Sequence, residues 1–338
     1  MHPSCAITPA AVSIRRRTLL AAAIPSAAIA LPALAQMTPN NPIRLVVSFP
    51  PGGSTDVIAR LMVEELRARL RTNVLVENRP GAAGRLGLDA LKSVEPDGSM
   101  IVLTPSPMIS LYPLTYKRLG YDPVRDLKPV AQVASYPLLI SVGPAVPSSV
   151  VTIKDYLQWV KADPSRNTYG VPAAGSTPHF VGVMLSKLSG VPLSAVAYKG
   201  DAPTVQDVLG GHIAMGINVP TAPLAHVGGG RLRVLAVTGA RRMAEIPQVP
   251  TLTESGFPEI STKDWTGAFV SGRTPPAILA QLEQAFQGAL SVREVREGFA
   301  KQGIEPDFVP GEAFGRQIAA EIATWGPIVK ASGFTSED

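Results

Sequence analysis

The sequence predicts an α/β protein built from two lobes with a cleft between them. Strand patterns alternate with helix patterns along the chain, which is typical of a parallel α/β sheet. The 338 residues exceed what one hydrophobic core usually serves. The tripeptide Gly-Ser-Thr occurs at 53–55 and again at 175–177, each time between a strand pattern and a helix pattern. We therefore expect the same strand, loop and helix unit once in each lobe.

The first lobe begins with the first of these units. Its predicted elements are a strand at 43–49, a helix at 56–70, a strand at 74–77, a helix at 82–94 and a strand at 100–104. An apolar strand at 137–142 then leads into Gly143, Pro144 and Pro147. These three residues indicate a crossing into the second lobe.

The second lobe repeats the alternation and opens with a helix at 152–161. Thr152 and Asp155 have the spacing of a capping box there. The elements predicted next are strands at 167–171, 194–198, 213–217 and 232–238, with helices at 177–189 and 202–209. A strand at 265–270 and helices at 276–290 and 312–331 complete the first lobe. The predicted ranges are a leader at 1–35, lobe 1 at 36–141, lobe 2 at 142–261 and lobe 1 again at 262–338. Two crossings between lobes form a hinge.

The N-terminus has the pattern of a cleaved export signal, which predicts a periplasmic protein. Three arginines at 15–17 precede an apolar run at 19–34 that ends in Ala33-Leu34-Ala35. Two prolines interrupt this run of 16 residues, so it is too short and too broken to span a membrane. The segment 16–20 resembles the core of a twin-arginine signal. A plain secretory leader also carries adjacent arginines, so both export routes stay open.

Composition excludes several classes of protein. The only cysteine, Cys5, lies in the leader, so we expect neither disulfides nor a lipid anchor in the mature chain. Removing the three arginines of the leader lowers the formal net charge from +5 to +2. A nucleic-acid partner is therefore not expected. We also expect the protein to be a monomer.

Each Gly-Ser-Thr loop indicates a small anion site. A helix start presents unpaired N–H groups and the positive end of the helix dipole, and Ser or Thr hydroxyls add donors. Ordinary helix capping uses the same residues and is the alternative for either loop alone. Neither loop has the spacing of a nucleotide-binding motif. Two such sites in different lobes suggest a clamp on one anionic ligand.

Enzyme chemistry has little support in the sequence. The three histidines of the mature chain, at 179, 212 and 226, lack metal-ligand spacing, and no Gly-x-Ser-x-Gly motif occurs. Ser176 and His179 are three residues apart across a helix start, which is poor geometry for a nucleophile and its base. We expect no catalytic residue, no metal and no cofactor.

Several motifs in order resemble the Bug proteins, the extracytoplasmic solute-binding proteins of tripartite tricarboxylate transporters. They occupy residues 42–56, 76–84, 96–98, 121–123, 169–170, 175–179, 198–203, 207–211, 235–238 and 249–251. The resemblance implies a type II periplasmic-binding (Venus flytrap) fold that holds a small carboxylate between the two helix starts, partly through ordered waters. It also implies membrane permease subunits as partners. Signalling to a membrane sensor kinase is the alternative role, with the same fold.

The chain departs from the family pattern at two places. Many members have Asp near the end of the strand at 213–217, where this chain has Asn218. The loop at 105–112 also differs from the commoner one. The identity of the ligand therefore does not follow from the resemblance.

Site residues follow from the two loops and from the resemblance. The predicted ligand contacts are Phe49, Ser54, Thr55, Ser106, Gly175, Ser176, Thr177, His179, Tyr198, Lys199 and Asn218. The residues predicted to shape the site without touching the ligand are Gly52, Gly53, Asp56 and Asp201.

Some of these residues have a second interpretation. Phe49 forms the floor of the pocket or ends a core strand, and Lys199 attracts the anion or is solvated. His179 is a helix-start residue or a contact whose protonation tunes anion affinity between pH 5 and 8.

We expect the exported protein to begin at Gln36, because Ala33-Leu34-Ala35 has the small-residue pattern of a cleavage site. N-terminal sequencing of protein recovered from the periplasm checks this. A chain that still carries Met1, or one found in the cytoplasm alone, would contradict it.

Overall fold

The computed structural model describes residues 1–3, 6 and 42–336. The predicted leader at 1–35 therefore lies, apart from four residues, outside the described part. The strands of residues 42–336 are β1 (Ile43–Val47), β2 (Val74–Asn78), β3 (Met100–Pro105), β4 (Leu127–Tyr136), β5 (Leu139–Val142), β6 (Thr168–Val171), β7 (Ser194–Ala197), β8 (Met215–Asn218), β9 (Arg233–Val237), β10 (Asp264–Ser271) and β11 (Glu305–Pro310).

The helices of the same region lie mostly between these strands. They are α1 (Ser54–Leu70), α2 (Arg85–Ala90), α3 (Pro107–Ser110), α4 (Tyr112–Thr115), α5 (Ile153–Ala162), α6 (Thr177–Ser189), α7 (Asp201–Leu209), α8 (Thr221–Val227), α9 (Pro276–Ser291), α10 (Arg293–Ala300) and α11 (Gly311–Ser332). None of the helices described is long and apolar enough to cross a membrane.

The first sheet has six strands in the order β11-β4-β10-β3-β1-β2. Strand β1 pairs in parallel with β2 and β3, and both faces of β1 are buried by helices. Strand β10 pairs antiparallel with β3 and β4. The C-terminal part therefore adds β10 and β11 to the sheet that contains β1.

The second sheet has five strands in the order β7-β6-β8-β5-β9. Strand β5 pairs antiparallel with both β8 and β9 and so belongs to the second lobe. The predicted range of lobe 1, 36–141, ends inside this strand, and the crossing lies at 137–138 instead. Pro137 explains the difference, because proline lacks the N–H group that would continue β4.

Local signals predicted many elements but missed others. The capping box is confirmed, since the Thr152 hydroxyl accepts from the Asp155 N–H at 3.1 Å and Asp155 accepts from the Thr152 N–H at 2.9 Å. Strands β4 and β11 and helices α8 and α10 were not predicted. The segment 105–112, predicted as a loop, contains α3 and the start of α4.

The crossing at 137–138 is hydrogen-bonded to the end of β9. Thr238, which follows β9, donates its N–H to the Leu138 carbonyl at 2.9 Å. The Thr238 hydroxyl accepts from the Leu138 N–H at 2.8 Å, and Thr238 is completely buried. These two hydrogen bonds fix the crossing at 137–138 against the second sheet.

A second contact between the lobes lies beside α6. Phe180, from α6 of the second lobe, is completely buried and packs against Trp325 of α11 and against Phe334. Leu111 and Val329 complete this cluster from the first lobe. Burial of such side chains stabilises the contact by about 1.5–3 kcal/mol each. The packing places the start of α6 opposite the first lobe.

Candidate functional site

A cavity of ≈ 140 Å³ lies between the two lobes. Its volume is close to that of a cavity of about 150 Å³ that holds benzene, so it suits a small ligand. The lining residues are Phe49, Pro50, Pro51, Gly53, Ser54, Thr55, Pro105, Pro107, Met108, Tyr136, Pro172, Ala173, Ser176, Pro178, Lys199, Gly200, Asp201, Ala202, Pro203, Val219 and Asp264. Seven of them are prolines, whose fixed φ angles make the walls stiff.

The start of α1 presents unpaired donors to this cavity. The N–H groups of Ser54 and Thr55 have no acceptor among the described residues, as the geometry of a helix start requires. Gly53 occupies the cap position, and no side chain caps this helix. The Ser54 and Thr55 hydroxyls make no hydrogen bond to the described chain. These donors remain available to a ligand.

Asp56 holds the loop that leads into α1. Its carboxylate accepts from the Gly52 N–H at 2.9 Å, from Arg60 at 2.9 Å and from the Asn78 amide at 3.0 Å. Gly52 has a φ of 82°, which only glycine adopts readily. Burial acts to raise the pKa of Asp56, but the Arg60 and Gly52 hydrogen bonds outweigh it and hold that pKa below its usual value. Asp56 therefore stays ionised and fixes the donors of α1.

The start of α6 presents a second set of donors. The N–H groups of Ser176 and Thr177 also lack an acceptor in the described chain. The Ser176 hydroxyl donates to the Ala173 carbonyl at 2.7 Å, so it does not cap the helix. Gly175, with a φ of 70°, donates its N–H to His179 Nδ1 at 3.0 Å. The hydrogen bond from Gly175 to His179 fixes this loop on the side that faces away from the cavity.

His179 has a structural place in the α6 loop. It is 8% exposed, stacks on Phe180 and meets the edge of Phe334. Burial lowers the pKa of His179 to about 4. The side chain is therefore neutral between pH 5 and 8. The interpretation that its protonation tunes anion affinity in that range is wrong.

Lys199 lies at the mouth of the cavity, and Tyr198 lies beside it. Lys199 is exposed, lines the cavity and makes no ion pair with a described residue. The Tyr198 hydroxyl donates to Asp207 at 2.8 Å. Tyr198 lines an adjoining cavity of ≈ 540 Å³ that shares Phe49 and Lys199 with the first. Of the two residues, Lys199 is thus the one with a free polar group at this cavity.

Asp201 and Asn218 form a pair on the wall of the second lobe. Asp201 Oδ1 accepts from Asn218 Nδ2 at 2.9 Å and from the Val219 N–H at 3.2 Å. Burial raises the pKa of Asp201 to about 6, although hydrogen bonds from Asn218, from the Val219 N–H and from its own N–H oppose this rise. Asn218 is completely buried behind the wall. Its amide is the donor that an Asp at position 218 would lack.

Asp264 lies on the opposite wall, in the first lobe. It begins β10 and is 2% exposed. Its Oδ1 accepts from the Ser106 hydroxyl and from the Trp265 N–H. The Thr177 hydroxyl faces this carboxyl group from α6 but makes no well-formed hydrogen bond. Burial raises the pKa of Asp264 to about 7, against the Ser106 hydrogen bond and with help from the Glu321 carboxylate.

The structure brings together part of the predicted set. Phe49, Ser54, Thr55, Ser176 and Lys199 line the cavity, as do Gly53 and Asp201 from the supporting set. Other predicted contacts lie behind the wall or beside it, and these are Ser106, Gly175, Thr177, His179, Tyr198 and Asn218. Which residues touch a ligand stays a prediction.

Sequence reasoning missed three cavity residues with large or charged side chains, namely Asp264, Met108 and Tyr136. An acidic residue directly before the apolar run at 265–270 was the available signal for Asp264. Met108 and Tyr136 gave no signal that separates them from core residues.

Within the described residues, no group of three or more His, Cys, Asp or Glu side chains could hold a metal ion.

The cavity between two α/β lobes defines a solute-binding protein of the two-lobed periplasmic class. The chain belongs to the tripartite tricarboxylate transporter family of receptors, whose model (TctC) matches residues 58–334. It is 34% identical to the protein BugT of Bordetella pertussis over 92% of this chain and 95% of BugT. The resemblance inferred from the motifs is thereby confirmed.

Two solved structures are similar over nearly the whole chain. One is R. palustris Rpa4515 with adipate, at a TM-score of 0.83 and 30% identity, covering 88% of this chain and 99% of that one. The other is MatC (Rpa3494) from Rhodopseudomonas palustris with bound malate, at a TM-score of 0.79 and 25% identity, covering 86% and 100%. The two-lobed type II periplasmic-binding fold is confirmed.

Replacing the buried carboxyl group of Asp264 should stabilise the protein at high pH. The unfolded chain ionises this group near its usual pKa of 3.8, whereas the folded protein resists ionisation up to about pH 7. The free energy of unfolding therefore falls as pH rises between these values. We expect Asp264→Asn to raise the melting temperature at pH 8 by at least about 2–4 °C, or roughly 1 kcal/mol, and the gain to shrink toward pH 5.

Calorimetry of the ligand-free protein at both pH values measures this difference. The control is Glu259→Gln, which alters an exposed carboxylate with no hydrogen bond in the described chain. An equal loss of stability in Asp264→Asn at both pH values would show that its hydrogen bonds matter more than its charge.

Proposed function

We propose that this protein captures a small carboxylate in the interlobe cavity and delivers it to the membrane subunits of a tripartite tricarboxylate transporter. One observation carries the proposal. Two helix starts, one from each lobe, line a single cavity with unpaired N–H groups. Such donors favour anions, because they lie at the positive ends of the two helix dipoles and point toward the cavity.

The side chains at these helix starts support ligand binding over capping. Neither helix has a side-chain cap, and the Ser176 hydroxyl donates away from its helix. A capping hydroxyl would accept from an N–H group of the first turn instead. The relatives that hold adipate and malate in the same fold support a carboxylate as the anion.

The expected affinity follows from the number of donors. A hydrogen bond to a charged group contributes about 1.5–3 kcal/mol. Four such bonds give roughly 6–12 kcal/mol before the costs of ordering and closure, so a dissociation constant near the micromolar range follows. The loops held by Asp56 and His179 reduce the ordering cost, because their donors are already in place.

We propose binding without chemical turnover. The Ser176 hydroxyl donates to Ala173, while His179 Nδ1 accepts from Gly175, so the two side chains are not hydrogen-bonded to each other. A serine nucleophile needs a base within hydrogen-bond reach.

We place the mature protein in the periplasm, where receptors of this class act.

The proposal predicts that carboxylates bind and that their amides do not. An amide lacks the negative charge that the helix starts favour, and its NH₂ group would face other donors. Calorimetry on pentanoate with pentanamide, and on 2-aminopentanoate with its primary amide, measures the difference. We expect at least a tenfold preference for whichever acid binds. Equal affinities for an acid and its amide would count against a site built for carboxylates.

The two helix starts should act on the same ligand. We expect Ser54→Ala/Thr55→Ala to weaken binding at least tenfold, because it removes two free hydroxyl donors from the start of α1. We expect Ser176→Ala/Thr177→Ala to weaken binding as well, because loss of the hydrogen bond from Ser176 to Ala173 releases the loop that positions the N–H groups of α6. In the protein with all four substitutions, we expect the affinity to fall by less than the product of the two separate factors. The first pair of substitutions already prevents closure, so the contacts that form only on closure cannot be lost a second time.

The matched control is Ser148→Ala/Ser149→Ala, a pair of exposed hydroxyl groups outside this cavity. Calorimetry gives the affinities, and small-angle scattering follows closure. If the loops are only helix caps, affinity should stay unchanged while stability falls by about 0.5–2 kcal/mol.

A further inference from the structure

The cavity contains two carboxyl groups, one on each lobe. Asp264 lines it from the first lobe and Asp201 from the second. Lys199, at the exposed mouth, is the sole basic residue among the described residues that line this cavity. Neither aspartate forms an ion pair with a described basic side chain. The acidic groups thus face the space in which a ligand would lie.

Each aspartate has one oxygen engaged by the protein. Oδ1 of Asp264 accepts from Ser106 and the Trp265 N–H, and Oδ1 of Asp201 accepts from Asn218 and the Val219 N–H. Apart from the N–H group of Asp201 itself, no further donor of the described chain forms a well-placed hydrogen bond with either carboxyl group. A buried carboxylate with an unused oxygen is costly, so a donor supplied by a ligand would lower that cost.

The groups around the two aspartates do not neutralise them. Glu321 of α11 adds negative charge near Asp264, and the fully buried Tyr136 lies within electrostatic reach of both aspartates. Thr177 and Ser106 bring neutral hydroxyl groups to Asp264, and burial keeps the nearby His179 neutral. Asn218 brings a neutral amide to Asp201. Apart from Lys199 at the mouth of the cavity, either protonation or a positively charged group of the ligand would compensate them.

These surroundings disfavour a second carboxylate on the ligand. One carboxylate can lie on the N–H groups of α1 and α6, but another in a cavity of ≈ 140 Å³ would approach Asp201 or Asp264. Like charges repel strongly where water is scarce. An ammonium group would instead form a charge-assisted hydrogen bond with the aspartates.

We propose that the ligand is a small amino carboxylate, bound by its carboxylate at the two helix starts and by its ammonium group at Asp264 and Asp201. This inference rests on the proposed function, since it specifies the solute that the same cavity takes. The walls formed by Phe49, Met108 and the prolines suit a short aliphatic body. The selectivity differs from that of the relatives that hold the dicarboxylates adipate and malate.

The test compares five-carbon probes that differ in one group. These are 2-aminopentanoate, 5-aminopentanoate, pentanoate and pentanedioate, titrated calorimetrically into the unsubstituted mature protein at pH 7.5. We expect one of the two amino acids to bind at least tenfold more tightly than both pentanoate and pentanedioate. Its affinity should also rise at least severalfold from pH 5.5 to pH 8, because the aspartates ionise in that range while the amine stays charged.

Substitution of the aspartates should reverse this order. Asp264→Asn and Asp201→Asn should each weaken binding of the amino acid at least tenfold and leave pentanoate unchanged or tighter. Glu259→Gln, an exposed carboxylate outside the cavity, is the matched control and should change neither affinity. The comparison of probes on the unsubstituted protein decides the question even if a variant fails to fold.

The outcomes separate this inference from the proposed function. Pentanedioate or pentanoate binding as tightly as both amino acids would overturn the amino-carboxylate assignment and leave carboxylate capture standing. Binding of 2-aminopentanamide as tightly as 2-aminopentanoate would overturn carboxylate capture itself. Failure of every carboxylate probe to bind would overturn both.

Discussion

The unpaired N–H groups at the starts of α1 and α6 are the constraint on which the site depends. A helix cannot satisfy its first N–H groups internally, and here no side chain does so in their place. Two such ends line one cavity, and in the proposed function they hold the anion without help from an arginine among the described lining residues. The connection from strand to helix in each lobe thus provides the framework for binding.

Some residues around these helix starts stabilise the folded loops, whereas others lower the free energy of unfolding. Asp56 accepts three hydrogen bonds and stays ionised, so it holds its loop in place. Asp201 and Asp264 are held in positions that raise their pKa values to about 6 and 7. Carboxyl groups of this kind lower stability at neutral pH, and protein sites accept such a cost where function requires it. Both aspartates line the cavity, and the proposed ammonium contact would lower that cost.

Contacts outside the cavity lining hold the lobes in their relative positions. Leu138, in the first crossing, is hydrogen-bonded to Thr238 at the end of β9, whereas Phe180 packs against Trp325 and Phe334 beside the start of α6. The same region carries the hydrogen bond from Gly175 to His179 and the Thr177 hydroxyl that faces Asp264. The position of the α6 donors is therefore tied to the apolar packing between the lobes.

The sequence by itself determined the local units and the family. Strand, loop and helix patterns, the capping box at Thr152 and the two Gly-Ser-Thr loops depend on residues close together in the chain, so local propensity was enough to predict them. Only the tertiary structure decided that β5 belongs to the second sheet and that His179 is neutral. It also brought Ser106 to Asp264 across 158 positions of the chain. Burial and strand pairing between distant segments set these features, and neither has a local signal in the sequence.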